Sequence, residues 1–206
     1  MPRTIVITDA ASPLGKACAV RLGRAGWNVV MGSSSLSSLQ SVCDELPDQA
    51  TLPMRCVPTD PDNVRPLLKA GEERFGTIDA VLANNRSNLG NWRRAMNMQV
   101  VALAMISEVA EPFLKRSGGH LVIAGSRSGS HTREGAMKTV ARDAKRTLQA
   151  ALAAEWSETG VQVSLVEPVG LDGPKAMARQ IARVLNGAPQ RQKDALQRNA
   201  IGIMRR

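Results

Sequence analysis

The sequence has 206 residues, 43% of them hydrophobic, and a net charge of +9. This length suits one domain with a buried core. No apolar run is long enough to span a membrane, and the first residues lead into an apolar segment without the pattern of a signal peptide. We therefore expect a single cytoplasmic domain that has no contact with a membrane.

The cysteines and histidines do not form a recognisable ligand pattern. Cys18, Cys43 and Cys56 are scattered and lack a CxxC spacing. Such a sparse set is typical of reduced thiols that fill a core in a cytosolic protein. His120 and His131 have no Cys or carboxylate cluster at metal-ligand spacing, so we expect no metal site.

Short apolar runs alternate with longer amphipathic segments along the chain. Strands are predicted at 4–8, 28–32, 53–57, 80–84, 120–125 and 161–167. Helices are predicted at 14–26, 36–46, 61–75, 92–117, 134–159, 174–186 and 191–200. Strands that are apolar throughout are buried on both faces, which indicates a parallel sheet between helices. The fold class is therefore α/β: a single-domain, doubly wound parallel sheet of about six strands with helices on both faces.

The positive charge is concentrated at the carboxyl end. Residues 173–206 hold eight Lys or Arg against one acid, Asp194, which is +7 and leaves +2 for residues 1–172. Residues 173–206 are interpreted as a basic helical segment of the same domain, exposed to solvent. The alternative is a docking surface for an acidic partner or a nucleic acid. No aromatic side chain lies nearby to stack on bases, so we do not expect nucleic acid binding.

Four segments together carry a resemblance to a known family. They are "IVITDAASPLG" (5–15), "RFGTIDAVLANN" (74–85), "GGHLVIAGS" (118–126) and "LAAEWSETGVQVSLVEP" (152–168). In this order and separation, the chain resembles the short-chain dehydrogenase/reductase family over residues 3–172. The resemblance implies a Rossmann-like fold, NAD(P) binding and a Ser–Tyr–Lys centre assisted by an Asn. It also implies oligomers built on the fourth and fifth helices.

The nucleotide loop of this family, Thr-Gly-x-x-x-Gly-x-Gly, aligns with residues 8–15. Only its first residue, Thr8, and its last glycine, Gly15, match the pattern. Pro13 removes an N–H that could face a phosphate. Asp9 places a carboxylate near the expected diphosphate, and two unit charges about 5 Å apart repel by roughly 3 kcal/mol at an effective dielectric of ~20. We favour a turn that only links strand to helix. The resemblance leaves four candidate cofactor contacts in this degenerate loop: Thr8, Ser12, Leu14 and Gly15.

The adenosine side of the expected site is also altered. The segment "GSSSLSS" (32–38) has neither an acid for ribose hydroxyls nor an arginine for a 2′-phosphate. Ser34 could hold a phosphate weakly, so NADP(H) is the expected cofactor if one binds at all. Asn84 keeps the more structural asparagine of the family's Asn-Asn-Ala-Gly motif, whereas Arg86 replaces its glycine and would crowd a cofactor. We therefore expect no cofactor.

The catalytic positions lack the central residue, because the chain contains no tyrosine. Ser126 matches the family's serine and Gln99 takes the place of its assisting Asn. The Tyr-x-x-x-Lys pair falls on Lys138 and Arg142 when counted back from the "LAAE" segment. Together these four residues could form a cationic pocket for a small anionic ligand, and the alternative is that Lys138 and Arg142 are solvated surface charges.

Counting forward from the serine segment instead puts the Tyr-x-x-x-Lys pair on Thr139 and Asp143. Both alignments remove the proton donor, and a positioned acid or base is typically worth ~10²–10⁴ in rate. The first hypothesis is a pseudo-enzyme that acts as a binding subunit. It would pair with itself or with an active paralogue through the fourth and fifth helices. The second is an NADP(H)-dependent or cofactor-independent enzyme with altered chemistry.

Overall fold

The computed structural model describes residues 1–85, 91–125, 133–168 and 173–187. Six parallel strands form one sheet in the order β3-β2-β1-β4-β5-β6, as the apolar runs predict. The strands are β1 Thr4–Ile7, β2 Asn28–Ser33, β3 Thr51–Arg55, β4 Ala80–Ala83, β5 His120–Ala124 and β6 Gln162–Val166.

Seven α-helices are present in the described part of the chain. They are α1 Pro13–Arg24, α2 Gln40–Cys43, α3 Pro61–Phe75, α4 Trp92–Met96, α5 Ala102–Ser117, α6 Arg133–Glu155 and α7 Pro174–Gly187. A π-helical turn, Asn97–Val101, joins α4 to α5, so the predicted fourth helix 92–117 is continuous but not uniform. Short 3-10 turns occupy Leu36–Leu39, Asp48–Ala50 and Ser157–Thr159.

The core consists of two apolar layers, one on each face of the sheet. Successive strand residues point to opposite faces, so Ile5 and Ile7 of β1 pack in one layer and Val6 packs in the other. The first layer includes side chains of α1, α2 and α7, and the second includes side chains of α3, α5 and α6. This arrangement confirms the doubly wound architecture.

Helix boundaries follow the local chemistry of their ends. Asp60 caps α3 by accepting the N–H of Asp62 at 3.0 Å, with Pro61 in the first helical turn. Gly76, just after α3, has φ of +88°, a conformation that glycine adopts without strain. The predicted helix 36–46 is wrong in type, since only Gln40–Cys43 is α-helical and a 3-10 turn precedes it.

Helix α7 joins the domain through its apolar face. Met177, Ile181 and Leu185 are buried in the core layer that contains α1. Arg3, just before β1, donates to the carbonyl oxygen of Leu185 at 2.9 Å and stacks on the Trp27 ring at 4.0 Å. The predicted helix 191–200 lies outside the described residues. No helix within the described ranges is long and apolar enough to cross a membrane.

Candidate functional site

The sheet has a topological switch point between β1 and β4, because the chain runs outward to β2 and β3 and then returns to the other side of β1. Ligands of open α/β sheets bind beyond the carboxyl ends of the strands at such a point. The loops that follow β1 and β4 meet there. This crevice is the candidate functional site.

Asn84 ties these two loops together. Its Nδ2 donates to the main-chain oxygen of Asp9 at 3.0 Å and to Ser12 Oγ at 2.7 Å. Its main-chain N–H donates to Oγ1 of buried Thr8 at 3.1 Å. Both hydrogens of the Asn84 amide are therefore used within the protein. Three of the sequence-predicted cofactor contacts, Thr8, Ser12 and Asn84, are brought together, and their hydrogen bonds close the turn.

Gly15 is required by the close approach of α1 to the preceding turn. A Cβ atom at this position would lie 2.0 Å from the main-chain oxygen of Asp9 and 2.7 Å from the Cα of Ala10. No real side chain fits that space without moving the backbone. The last glycine of the loop pattern therefore survives because of helix packing, one of the roles that glycine has in dinucleotide-binding turns.

The amino end of α1 offers few main-chain donors to an anion. Pro13, the first helical residue, has no N–H. The N–H of Gly15 donates to the capping oxygen Ser12 Oγ at 3.1 Å, and the N–H of Lys16 donates to the Ser12 carbonyl at 2.8 Å. Of the first four helical residues, only Leu14 keeps a main-chain N–H that could reach a phosphate. Since phosphate sites at helix ends rely on several such groups, the amino end of α1 has fewer free donors than such sites use.

Asp9 adds charge to the same turn. Its residue is half-buried, and its main-chain oxygen already accepts from Ser12 and Asn84. A carboxylate beside a diphosphate would oppose binding. Asp9 and Pro13 thus distinguish this turn from the glycine-rich loop that the family resemblance implies.

The end of β2 carries hydroxyls in place of a charged ribose or phosphate contact. Ser33 Oγ lies 2.9 Å from Ser38 Oγ, and Ser35 Oγ lies 2.9 Å from Ser37 Oγ. Ser34, the sequence-predicted phosphate contact, is exposed. The cluster can donate to a phosphate, but it supplies no positive charge.

Asn85 is a polar residue at this site that the sequence reasoning missed. It is only 5% exposed, and its Oδ1 accepts from Thr8 Oγ1 at 3.1 Å. Its Nδ2 is buried without a partner among the described residues. Turning the amide over would exchange the two atoms and leave the other one unsatisfied. Since buried polar groups are normally paired, Asn85 marks the end of β4 as a place where a small acceptor would be stabilised.

Gln99 is buried within the π-helical turn between α4 and α5. Such turns are rare and often occur at functional sites. The sequence gives no signal for a π turn, since its residues suit an ordinary helix. Ser126 and Arg86 lie outside the described residues.

Lys138 and Arg142 lie one turn apart on α6, and both are half-buried. Arg142 Nε lies 3.0 Å from Asp143 Oδ1, so the guanidinium already has an acidic partner. Thr139 Oγ1 donates to the carbonyl of Gly135 one turn earlier, at 3.1 Å. The partial burial argues against fully solvated charges at positions 138 and 142.

Lys145 extends the stripe of Lys138 and Arg142 by one more turn and was missed from the sequence. It is 4% exposed, and its Nζ donates to the carbonyl oxygen of Ala124, the last residue of β5, at 3.0 Å. Burial lowers the pKa of Lys145 from 10.5 to about 8, and the nearby Glu167 carboxylate opposes this shift. The i, i+4, i+7 spacing of these three cations was the available signal.

Glu167, just after β6, supports the same strand end. Its Oε2 accepts from Arg146 Nη2 at 2.6 Å, while its Oε1 is buried without a partner among the described residues. A Cβ atom on Gly125 would lie 2.6 Å from the Cγ of Glu167. The carboxyl ends of β5 and β6 thus combine a buried amine with a carboxylate.

The cysteines offer no reactive site. Burial raises the pKa of Cys18 to about 12 and that of Cys56 to about 11, so both remain thiols. Cys18, Cys43 and Cys56 form no disulfide. Across the described ranges, no group of three or more His, Cys, Asp or Glu could hold a metal ion.

Comparison with curated proteins finds relatives that are named as oxidoreductases. An uncharacterized oxidoreductase of Staphylococcus aureus strain USA300 is 27% identical over 184 residues, which covers 82% of this chain and 78% of the relative. An uncharacterized oxidoreductase of Staphylococcus epidermidis is 26% identical over 186 residues, covering 84% of this chain and 79% of the relative.

Solved structures show the same fold at lower identity. A metagenomic short-chain oxidoreductase in complex with NADP superimposes with a TM-score of 0.81 at 22% identity, covering 91% of this chain and 92% of the other. The 3-ketoacyl-(acyl-carrier-protein) reductase from Brucella melitensis, complexed with NADH, gives a TM-score of 0.79 at 18% identity, covering 91% of each chain. The family model described as short chain dehydrogenase matches residues 3–183. This chain therefore belongs to the short-chain dehydrogenase family.

Proposed function

We propose that this family member binds ligands or partners without catalysing hydride transfer. The observation that carries the proposal is the absence of tyrosine from all 206 residues. In the family, the tyrosine hydroxyl transfers the proton while a neighbouring lysine lowers its pKa. Loss of a positioned acid or base typically costs ~10²–10⁴ in rate.

The residues at the vacated positions do not replace this chemistry. Arg142 pairs with Asp143 at 3.0 Å, and a guanidinium does not act as a general acid or base in proteins. Thr139, the alternative tyrosine position, uses its hydroxyl to donate to Gly135. A threonine hydroxyl also lacks the accessible pKa of a phenol.

We also propose that no nicotinamide cofactor is resident. The single free amide among the first four residues of α1 and the Asp9 carboxylate support this view. If a cofactor binds, NADP(H) is favoured over NAD(H), because the serines at the end of β2 can donate to a phosphate, whereas no carboxylate is present there to accept both ribose hydroxyls. The NADP and NADH in the similar structures belong to those proteins.

The proposed partner is a second copy of this chain or an active family paralogue. Val101, before α5, is 48% exposed, Val140 on α6 is 45% exposed and Trp92 on α4 is 39% exposed. Large apolar side chains on these helices suit the oligomer surface that the family resemblance implies. The free cysteines suit a cytoplasmic location, which stays a prediction.

Two measurements test the proposal. The purified chain is assayed with NADH and NADPH against aldehydes, ketones and a 3-ketoacyl thioester, and no turnover is expected. Turnover that disappears in Ser126→Ala would overturn it.

Light scattering then compares Val140→Asp with Leu36→Asp, because Leu36 is also exposed but lies far from α6 along the chain. Only Val140→Asp should lower the measured molecular mass of the oligomer. An unchanged mass would show that α6 does not form the oligomer surface.

A second candidate function is an enzyme of altered chemistry that acts on a small carboxylate or phosphate ester. The stripe of Lys138, Arg142 and Lys145 favours it, because α6 packs against the π-helical turn that contains buried Gln99. Thermal-shift screening against small carboxylates and phosphates tests this candidate. A stabilising ligand should lose its effect in Arg142→Ala and keep it in Lys115→Ala, a change at the surface of α5. Stabilisation that survives Arg142→Ala would exclude the pocket.

A further inference from the structure

A groove runs between α1 and α7 on the face of the protein that carries these two helices. Its volume is about 1030 Å³ and it is open to solvent. Ala17 and Val20 of α1 face Ala178 and Ala182 of α7 across its apolar floor. The two helices pack directly on each other, and Ala178 and Ala182 are almost fully buried at their contact. The groove is therefore an open channel above the seam of α1 and α7, and a further element would lie over this seam.

Basic side chains form both rims of the groove. Lys16, Arg21 and Arg24 belong to the α1 rim, and Lys175 and Arg179 belong to the α7 rim. Five cations therefore face a single acid in the lining, Glu45. The resulting positive potential favours an occupant of negative charge.

The one lining acid, Glu45, pairs with two of the three cations on the α1 rim. Glu45 lies 3.4 Å from Lys16 Nζ and 3.2 Å from Arg24 Nη2. Within the described residues, Arg21, Lys175 and Arg179 have no acidic partner. These three side chains belong to exposed residues, so they can reach an acid on another molecule.

The chain's own carboxyl-terminal residues are a poor match for this groove. Residues 188–206 carry five Lys or Arg and one acid. Like charges on the rims and on this segment oppose their association. The occupant is therefore a different molecule.

The apolar floor distinguishes between acidic partners. Nucleic acids bind basic surfaces through phosphate contacts, and single strands also stack their bases on aromatic rings. The groove lining includes no aromatic side chain. An amphipathic helix, in contrast, places apolar residues on such a floor and its charged flanks on the rims.

We propose that the groove between α1 and α7 docks an acidic amphipathic helix of a partner protein. The helix would be about 15 residues long, because α7 itself has 14 residues and is ~21 Å in length. Its apolar stripe lies over the seam and covers the partly exposed Ala17 and Val20, and its carboxylates pair with Arg21 and Arg179. This goes beyond the proposed function, since such a groove could serve a catalytic or a non-catalytic protein alike.

The test measures binding of a fluorescein-labelled helical peptide to the full chain by anisotropy. The peptide carries Leu at helical spacing and Glu on both flanks, and a scrambled peptide of the same composition is its control. The charge-reversed variant Arg21→Glu/Arg179→Glu is compared with Arg65→Glu/Lys69→Glu, which changes the net charge equally on exposed residues of α3. Thermal melts establish that both variants fold.

The groove variant should bind the peptide at least roughly tenfold more weakly, because two attractive contacts become repulsive, and the α3 variant should stay within about threefold of the wild type. Affinity should also fall with added salt. The proposal is overturned if the peptide does not bind, if the scrambled peptide binds equally well, or if the α3 variant loses as much affinity. Tighter, groove-dependent binding of a single-stranded oligonucleotide would likewise overturn it in favour of nucleic acid.

Discussion

Lys145 Nζ donates to the Ala124 carbonyl oxygen at 3.0 Å from a position that is 4% exposed. Burial of the charged amine destabilises the folded state and lowers the pKa of Lys145 from 10.5 to about 8. This shift corresponds to a loss of roughly 3 kcal/mol in the free energy of unfolding below pH 8. Proteins retain such groups at sites where function offsets lost stability. We therefore expect the protonated Lys145 side chain to lower the stability of the fold.

Replacing Lys145 by Met should therefore stabilise the protein at pH 7. The gain should be about 1–2 kcal/mol, since the desolvation cost disappears but the Ala124 carbonyl loses a donor. Urea unfolding of Lys145→Met and of Lys69→Met, an exposed control on α3, measures the difference. Marked destabilisation by the first change would show that the amine stabilises the fold.

The same substitution predicts a pH dependence. Between pH 8 and 10.5 the unfolded state keeps a proton that folded Lys145 releases, so wild-type stability should rise with pH in this window. The advantage of Lys145→Met should vanish within this window, and near pH 10.5 the wild type should be the more stable protein by about 1–2 kcal/mol. A constant difference from pH 7 to 10.5 would contradict the assigned ionisation.

His120 should make the protein sensitive to acid. It is buried at the start of β5, its Nε2 lies 2.9 Å from Ser164 Oγ, and burial lowers its pKa from 6.5 to about 4. As the pH falls below 6.5, the unfolded state binds a proton at this histidine before the folded state does. The free energy of unfolding should therefore be unaffected by His120 above pH 6.5 and should fall by up to about 3 kcal/mol between pH 6.5 and 4.

Unfolding of His120→Gln from pH 7 to 4 isolates this contribution to acid sensitivity, because glutamine keeps a hydrogen-bonding group and does not titrate. The variant should lose less stability than the wild type. Ser164→Ala serves as the control, since it removes the partner and keeps the titrating ring. If the free energy of unfolding falls equally with pH in His120→Gln and the wild type, the acid sensitivity comes from other groups.

The tie between Asn84 and Ser12 should show energetic coupling. Ser12→Ala removes the cap of α1 and one acceptor of the Asn84 amide, so we expect a loss of about 1–3 kcal/mol. A double-mutant cycle with Asn84→Ala should give coupling of about 1 kcal/mol. Ser37→Ala, in the exposed serine cluster, is the control. Additive losses would mean that the two loops are held independently.

Gly15→Ala should strain the turn between β1 and α1. The added Cβ meets the Asp9 carbonyl oxygen at 2.0 Å, and the backbone must move to relieve this contact. We expect a loss of at least about 2 kcal/mol. Gly173→Ala is the control, because nothing lies within 4 Å of its added Cβ. A neutral Gly15→Ala would mean that the helix can shift freely.

The sequence predicted the sheet because β1, β4 and β5 are buried throughout and stand out as short apolar runs. The edge strand β3, Thr51–Arg55, alternates in burial and begins two residues before its predicted range of 53–57. It predicted α3 at Pro61–Phe75 to the residue, since Asp60 and Gly76 mark both ends. The prediction of one helix over 36–46 was wrong because serine hydroxyls near its start bond to one another. These bonds favour a 3-10 turn and a loop over an α-helix.

The candidate site was less predictable than the fold. Alignment to the family placed Thr8, Ser12 and Asn84 near one another, but only coordinates reveal that they bond together. Lys145 and Asn85 were missed because residue type alone predicts exposure for both. Their burial depends on neighbours from β4, β5 and β6 that are distant in the sequence.

Titration calorimetry of the full chain with NADPH measures whether the loop after β1 still binds a dinucleotide. We expect no saturable binding up to millimolar NADPH for the wild type, because the Asp9 carboxylate opposes the diphosphate and α1 offers one free amide among its first four residues. Asp9→Gly, which removes the carboxylate, should strengthen any residual affinity by up to about a hundredfold. Micromolar binding by the wild type, with no gain in Asp9→Gly, would contradict the account.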